Sequence, residues 1–184
     1  MKRSLKLEKT LVFDTETTAL VANSLISEKH QPHIIEFYGC IVDESGAVTK
    51  ELDFLCDPGV PVTDEITRIT GIKPSDVKGQ SSFKDRAKEV HELICEADSV
   101  VAHNLSFDMS VVDSEFSRIG ASTSWPKIRV CTVEETEWFK GYRLSLSALH
   151  EHLFGKAFAG AHRAKVDVMA LVRCFNELRI RGDV

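Results

Sequence analysis

Apolar and polar positions recur along this chain with two periods, and together they divide it into strands and helices. Residues 10–17, "TLVFDTET", form a short, mostly apolar run that closes on two carboxylates, and they predict a first strand. Two further runs, near 34–43 and 47–56, flank an Asp-Glu-Ser-Gly turn and predict a hairpin. Thr63 followed by Asp64 and Glu65 is a good helix start, so a short helix is expected over 63–70. A longer helix is expected over 82–97, where Ala87, Val90, His91 and Ile94 fall on one stripe. "DSVVAHN" predicts a buried strand entering a helix over 105–119, and "KIRVCT" predicts another strand. Helices are expected over 132–139, 145–153 and 163–180, with loops at 22–33, 44–46, around Pro58 and Pro61, 71–82 and 120–127. Five strands, paired first in a hairpin and then alternating with helices, imply an α/β fold. The sheet is mixed and has helices on both faces.

The acids are placed where a core should be. In the 105–119 helix the inward positions are Val111, Val112, Glu115 or Phe116, and Ile119, and Asp108 stands four residues before Val112. The last helix has Leu171, Cys174, Phe175 and Leu178 on its apolar stripe, with Asp167 four residues before Leu171. On the first strand, Val12, Asp14 and Glu16 share one face, because side chains two apart point the same way. Each carboxylate alone has an ordinary explanation, as a helix cap or a strand end facing water. Three elements that all run from apolar residues into a carboxylate suggest another. Buried, clustered carboxylates are costly and raise one another's pKa. Divalent cations remove that cost, and a pair of Mg²⁺-type ions held by Asp and Glu is a common apparatus for in-line attack on a phosphodiester.

Composition narrows the class without fixing it. The 184 residues are enough for one domain with a full core, so 1–184 is read as a single unit. A net charge of −5 argues against a protein that coats nucleic acid without sequence preference, which needs an excess of Lys and Arg. The five cysteines are odd in number and lack a C-x-x-C pair, which fits reduced thiols better than disulfides or a zinc knuckle. The basic N-terminal stretch lacks the apolar core of a signal peptide, and no run approaches the ~20 apolar residues that cross a bilayer. The expectation is a soluble, cytoplasmic protein.

"FDTET", "VAHNLSFD" and "HRAKVD", in that order and spacing, resemble the three motifs of the DEDDh, or DnaQ-like, 3′–5′ exonucleases. That superfamily includes the epsilon proofreading subunit of bacterial DNA polymerase III and RNase T. "IIEFYGCIVDESG" is similar to its second-strand hairpin, and "DEITRITGIKPSDV" to its segment between motifs one and two. The stretch from "VCTVEETEWF" to "DVMALVRCF" resembles small free-standing epsilon-like exonucleases, phage versions included. The likeness spans about residues 10–178, with motifs at 13–17, 102–108 and 162–167. It implies a ribonuclease H-like fold around a five-stranded sheet and two divalent cations, Mg²⁺ or Mn²⁺. Asp14 would bridge both ions, Glu16 and Asp167 would hold the first, and Asp108 would hold the second through water. His162 would be the general base, a task near neutral pH that suits histidine. For the 3′-terminal nucleotide the resemblance implies contacts from Thr15, Thr17, Leu20, Ile69, Thr70, His103, Asn104 and Phe107. Ala19 stands where the family has glycine, and Asn104 is equally suited to cap the following helix.

The implied activity is release of nucleoside 5′-monophosphates from single-stranded or frayed DNA 3′ ends, as in proofreading. The cytoplasm would be that of a bacterium or of a phage's bacterial host. Proofreading would need a DNA polymerase subunit as partner. Two other readings stand beside it: an exoribonuclease trimming RNA 3′ ends, and a catalytically silent module that binds a polymerase or nucleic acid. The presence of all four acids and the histidine weighs against the last. "EWFKGYR" over 137–143 offers aromatics and two cations, read as packing for Trp138 and a phosphate contact for Arg143. Arg163 and Lys165 either meet the incoming backbone or form a solvated helix face. "HEH" at 150–152 lacks the spacing for two histidines to share a metal.

Overall fold

A computed structural model describes residues 8–20 and 31–184. The basic stretch 1–7 and residues 22–30 of the expected 22–33 loop lie outside the described residues. Five strands form one sheet: β1 (Lys9–Thr17), β2 (Ile34–Asp43), β3 (Val48–Leu55), β4 (Ser99–Ala102) and β5 (Ile128–Cys131). Their order across the sheet is β3-β2-β1-β4-β5, with β1 in the middle. The β1–β2 and β2–β3 pairs are antiparallel, and the β1–β4 and β4–β5 pairs are parallel. This is the mixed α/β sheet that the hydrophobic pattern implies.

The helices are α1 (Asp64–Thr70), α2 (Pro74–Val77), α3 (Phe83–Glu96), α4 (Leu105–Arg118), α5 (Thr132–Glu135), α6 (Leu146–Phe154) and α7 (Ala164–Arg181). Leu11 and Phe13 of β1 pack with Val90, Leu93 and Ile94 of α3 and with Val111, Val112 and Phe116 of α4. On the other face Val12, Tyr38 and Cys40 pack with Leu149 of α6 and Val168, Leu171 and Phe175 of α7. Both faces of β1 are therefore sealed along most of its length, and its C-terminal end opens between α4 and α7. That end carries the carboxylates.

Two local differences from the sequence reading have physical causes. The 71–82 stretch, expected as loop, contains α2, started by Pro74 at its first position and by the Asp76 carboxylate accepting from Lys73 N. The helix expected over 132–139 stops at Glu135 and resumes as a 3-10 turn at Glu137–Phe139. Buried Thr136 donates its hydroxyl to the Thr132 carbonyl, a local bond that competes with helix continuation.

Candidate active site

Asp14 and Glu16 project from the end of β1 toward α7, whose first turn supplies Asp167. One oxygen from each of the three carboxylates lies within 4.8 Å of the others. All three are half-buried. Burial is the main cause that raises the pKa of Asp14 well above the carboxylate range, with further pushes from the charges of Asp108, Glu16, Asp167 and Glu36. Burial likewise lifts Glu16 to about 8, helped by Asp167 and Glu36. Asp167 is raised by burial but held back by the His162 N–H that donates to its Oδ2 at 2.8 Å. Such a group holds protons that it would exchange for a divalent cation shared among its oxygens. Three converging carboxylate oxygens are the donor set that Mg²⁺ or Mn²⁺ prefers, so the residues fit the divalent cations.

Asp108 comes from the first turn of α4, on the other side of β1, and is 2% exposed. Its Oδ1 accepts from Thr15 N at 3.0 Å and from Thr15 Oγ1 at 2.8 Å. Burial raises it to about 7 against the pull of those bonds. The structure therefore sets Asp108 outside the group of three, tied to the strand between Asp14 and Glu16.

His162 is exposed, at the turn before α7, and its backbone φ is +68°. Among the described residues, the only other non-glycine at positive φ is Asn104, at +79°. Both fall in the sequence motifs that bear acids, where a strained backbone is most useful. Asn104 is the residue before α4, yet its side chain makes no cap bond, so the cap reading is replaced by a left-handed turn. Ala19 shows no positive φ, which explains how it can stand where the family has glycine.

The expected nucleotide contacts separate into two sets. Leu20 is 84% and Ile69 42% exposed, free to meet a ligand. Phe107 is partly buried against the core beneath α4. Thr17 donates its hydroxyl to the Ala19 carbonyl at 2.6 Å, shaping the turn after β1. The Thr70 hydroxyl is turned inward instead, donating to the Ile66 carbonyl at 3.0 Å and accepting from Ile72 N at 3.1 Å. Both ring nitrogens of His103 are also committed, to Thr132 Oγ1 at 2.9 Å and the Leu144 carbonyl at 3.0 Å. Burial lowers this imidazole to about 4, so it is neutral, with Nε2–H donating to the carbonyl and Nδ1 accepting. Thr70 and His103 thus hold the framework rather than present polar atoms to a ligand.

Of four surface residues singled out in the sequence, Trp138 differs from expectation and the others have ion-pair partners. Trp138 is 66% exposed, its ring against Phe139 at 4.4 Å, because the 3-10 turn directs it outward. Arg143 pairs with Glu134 at 3.3 Å. Lys165 pairs with Glu51 at 3.2 Å and Asp53 at 3.5 Å. Arg163, with about half of its side chain still exposed, grips the buried Glu36, at 2.7 Å at the shortest contact. Sequence reasoning missed Glu36, a glutamate inside the apolar run Ile34-Ile35-Glu36-Phe37.

The raised Glu16 carboxyl has a measurable consequence. Its native form binds a proton more tightly than the unfolded chain, whose carboxyl titrates near 4.5. The associated stability is complete below that pH and is lost as pH rises through about 8. Metal-free protein should therefore lose more melting temperature between pH 5.5 and 8 than its Glu16→Gln variant does. Millimolar Mg²⁺ or Mn²⁺ should raise the wild-type melting temperature more at pH 8 than at pH 5.5, where protons compete. Scanning calorimetry at both pH values, with and without metal, checks this; equal slopes for wild type and variant would contradict it.

The profile of the exonuclease family matches residues 11–175. A PolC-type DNA polymerase III from Pediococcus pentosaceus is 31% identical over 166 residues, which cover 89% of this chain but 11% of that protein. The chain thus spans about a tenth of the length of the curated relatives it matches. Among solved structures, the zinc-bound form of E. coli ExoI with single-stranded DNA aligns with a TM-score of 0.77 at 20% identity, over 95% of this chain and 41% of that one. Exonuclease X in complex with 5′ overhanging duplex DNA aligns with a TM-score of 0.65 at 21% identity, over 94% and 93%.

Proposed function

The chain belongs to the exonuclease family, the DnaQ-like 3′–5′ exonucleases, and from that premise we propose that it shortens single-stranded or frayed DNA from the 3′ end. It releases nucleoside 5′-monophosphates one at a time, with two divalent cations, Mg²⁺ or Mn²⁺. Residues 1–184 act as one exonuclease domain, and a DNA polymerase subunit in a bacterial cytoplasm, its own or a phage host's, is the partner for proofreading. The observation that carries the reading is the convergence of Asp14, Glu16 and Asp167 within 4.8 Å, from a central strand and a helix whose Asp167 lies 151 positions beyond Glu16 in the chain. Among the described residues, no helix is long and apolar enough to cross a membrane.

Asp14, Glu16 and Asp167 would hold the cations, with Asp108 beside them on the α4 side. When bound, the cations supply Lewis acidity and charge for the phosphoryl oxygens. His162 takes a proton from the attacking water, whose oxygen joins the terminal phosphorus as the bond to the 3′ oxygen breaks. The departing 3′ oxygen is protonated from solvent. Thr15 keeps Asp108 in place through its backbone N–H and hydroxyl. Exposed Leu20 and Ile69 meet the last bases by apolar contact, while Asn104 and Phe107 support the sugar from the start of α4.

Labelled DNA and RNA oligomers, run side by side with Mg²⁺ or Mn²⁺, test the reading. Stepwise loss of single nucleotides from the DNA 3′ end, stopped by EDTA, is the expected result. Persistent cleavage in EDTA, or a ladder that grows from the 5′ end, would overturn it. Faster trimming of the RNA would move the substrate to the ribonucleotide side, where grip on the 2′-hydroxyl decides.

A further inference from the structure

Glu36 is a fifth acid at the site and is not one of the three whose oxygens converge within 4.8 Å. It lies on β2 directly opposite Glu16 of β1 and is 3% exposed. Like charges facing each other across a strand pair destabilise a sheet, and Glu36 adds to the raised pKa of Asp14, Glu16 and Asp167. A residue kept there at that cost needs a partner, and its two oxygens are fully engaged. Arg163 donates from Nη2 to Oε1 at 2.7 Å and from Nε to Oε1 at 3.1 Å and Oε2 at 3.2 Å. The Oε2 atom also accepts from Ala164 N at 2.9 Å.

These bonds fall at one place in the chain. Ala164 opens α7 and is fully buried, and Arg163 is the cap residue, with no side-chain cap of its own. Glu36 thus supplies from another strand the anion that the helix N-terminus lacks. The next residue back is His162, held at φ +68° and tied to Asp167 through its N–H. A left-handed non-glycine turn persists only where its surroundings fix it. A planar guanidinium held by a carboxylate and a backbone N–H held by the same carboxylate do so on the C-terminal side.

We propose that Glu36, acting through Arg163 and Ala164 N, is a positioning residue that sets His162 over the carboxylate group. The proposal rests on the exonuclease reading above. It separates two kinds of acid at the site: Asp14, Glu16 and Asp167 converge where the cations would be held, and Glu36 is engaged by Arg163 and Ala164 N to aim the base. Arg163 serves by its fork rather than by its charge, since a lysine cannot bridge both carboxylate oxygens in the same plane.

The test is a mutant cycle in the full chain. Glu36→Gln and Arg163→Lys should each lower kcat by roughly tenfold to a hundredfold, the scale of a misplaced reacting group, with KM changed less than about twofold. The rise in melting temperature on adding Mn²⁺ should stay as in wild type. In a His162→Ala background, followed by single-turnover kinetics, Glu36→Gln should cost less than about a further twofold, because the group it aims is gone. Unchanged kcat in both single variants would overturn the proposal. So would a full loss persisting without His162, or loss of the Mn²⁺ shift, which would put the effect on Asp167. If Glu36→Gln lacks a cooperative melt, Arg163→Lys runs the same cycle and decides. An inactive wild type would defeat the exonuclease reading, whereas an active wild type with equally active variants defeats only this inference.

Discussion

Asp14→Asn should lower nucleotide release by about a thousandfold or more and should not destabilise the metal-free protein. The size follows from what the cations contribute: several kcal/mol of stabilisation for charge developing on the phosphate, at about 1.4 kcal/mol per factor of ten. Asp14 is pushed up by the charges of Asp108 and Glu16, and one of its oxygens lies within 4.8 Å of oxygens of Glu16 and Asp167. The direction of the stability change separates function from architecture. A carboxyl whose pKa is raised by burial and by four neighbouring acids is a cost to the native state once ionised. Removing the charge while keeping the shape should leave the melting temperature at pH 8, without metal, equal to or above wild type. Activity on a labelled oligonucleotide and a melting curve in EDTA give both readouts. A variant that keeps wild-type activity would remove Asp14 from the chemistry, and one that loses activity only by unfolding would make its role structural.

The parts of this site that sequence alone can reach are those tied to a period. Asp108 and Asp167 stand one helical turn ahead of buried residues, so helical spacing placed both on inward faces, and Asp14 and Glu16 shared a face by strand spacing. What Asp108 does there depended on Thr15, 93 positions earlier, and no local pattern announces that bond. Glu36 was obscured for a different reason. β2 is buried on both faces along nearly its whole length, so there is no alternation against which one inward polar residue stands out. Its partner Arg163 lies 127 positions away and read as a surface cation. Thr70 and His103 were expected to face a ligand because polar side chains in a motif invite that reading, yet nearby carbonyls satisfied both first. Trp138 went the other way, since one buried hydroxyl at Thr136 ended the helix that would have packed it.

His162→Ala should lower kcat by about a hundredfold to ten-thousandfold, the usual contribution of a general base, and leave KM nearly unchanged. The separation follows from position. His162 is exposed, and its hydrogen bond to Asp167 comes from the backbone N–H, so removing the ring leaves that bond available. The ring is not among the three converging carboxylates, and Leu20 and Ile69 are exposed elsewhere, so cation binding and contact with the DNA end should both survive. The rise in melting temperature with Mn²⁺ should match wild type within error. Added imidazole should restore part of the lost rate, because a small base can enter the space the ring vacates and accept the same proton. His162→Gln, which keeps a polar side chain of similar reach but has no basic nitrogen, should be as slow as the alanine variant and gain from imidazole less, since its side chain occupies that space. A loss expressed in KM, or a vanished Mn²⁺ shift, would mean that the histidine binds rather than takes the proton, and Asp14, Glu16 and Asp167 would then need another base.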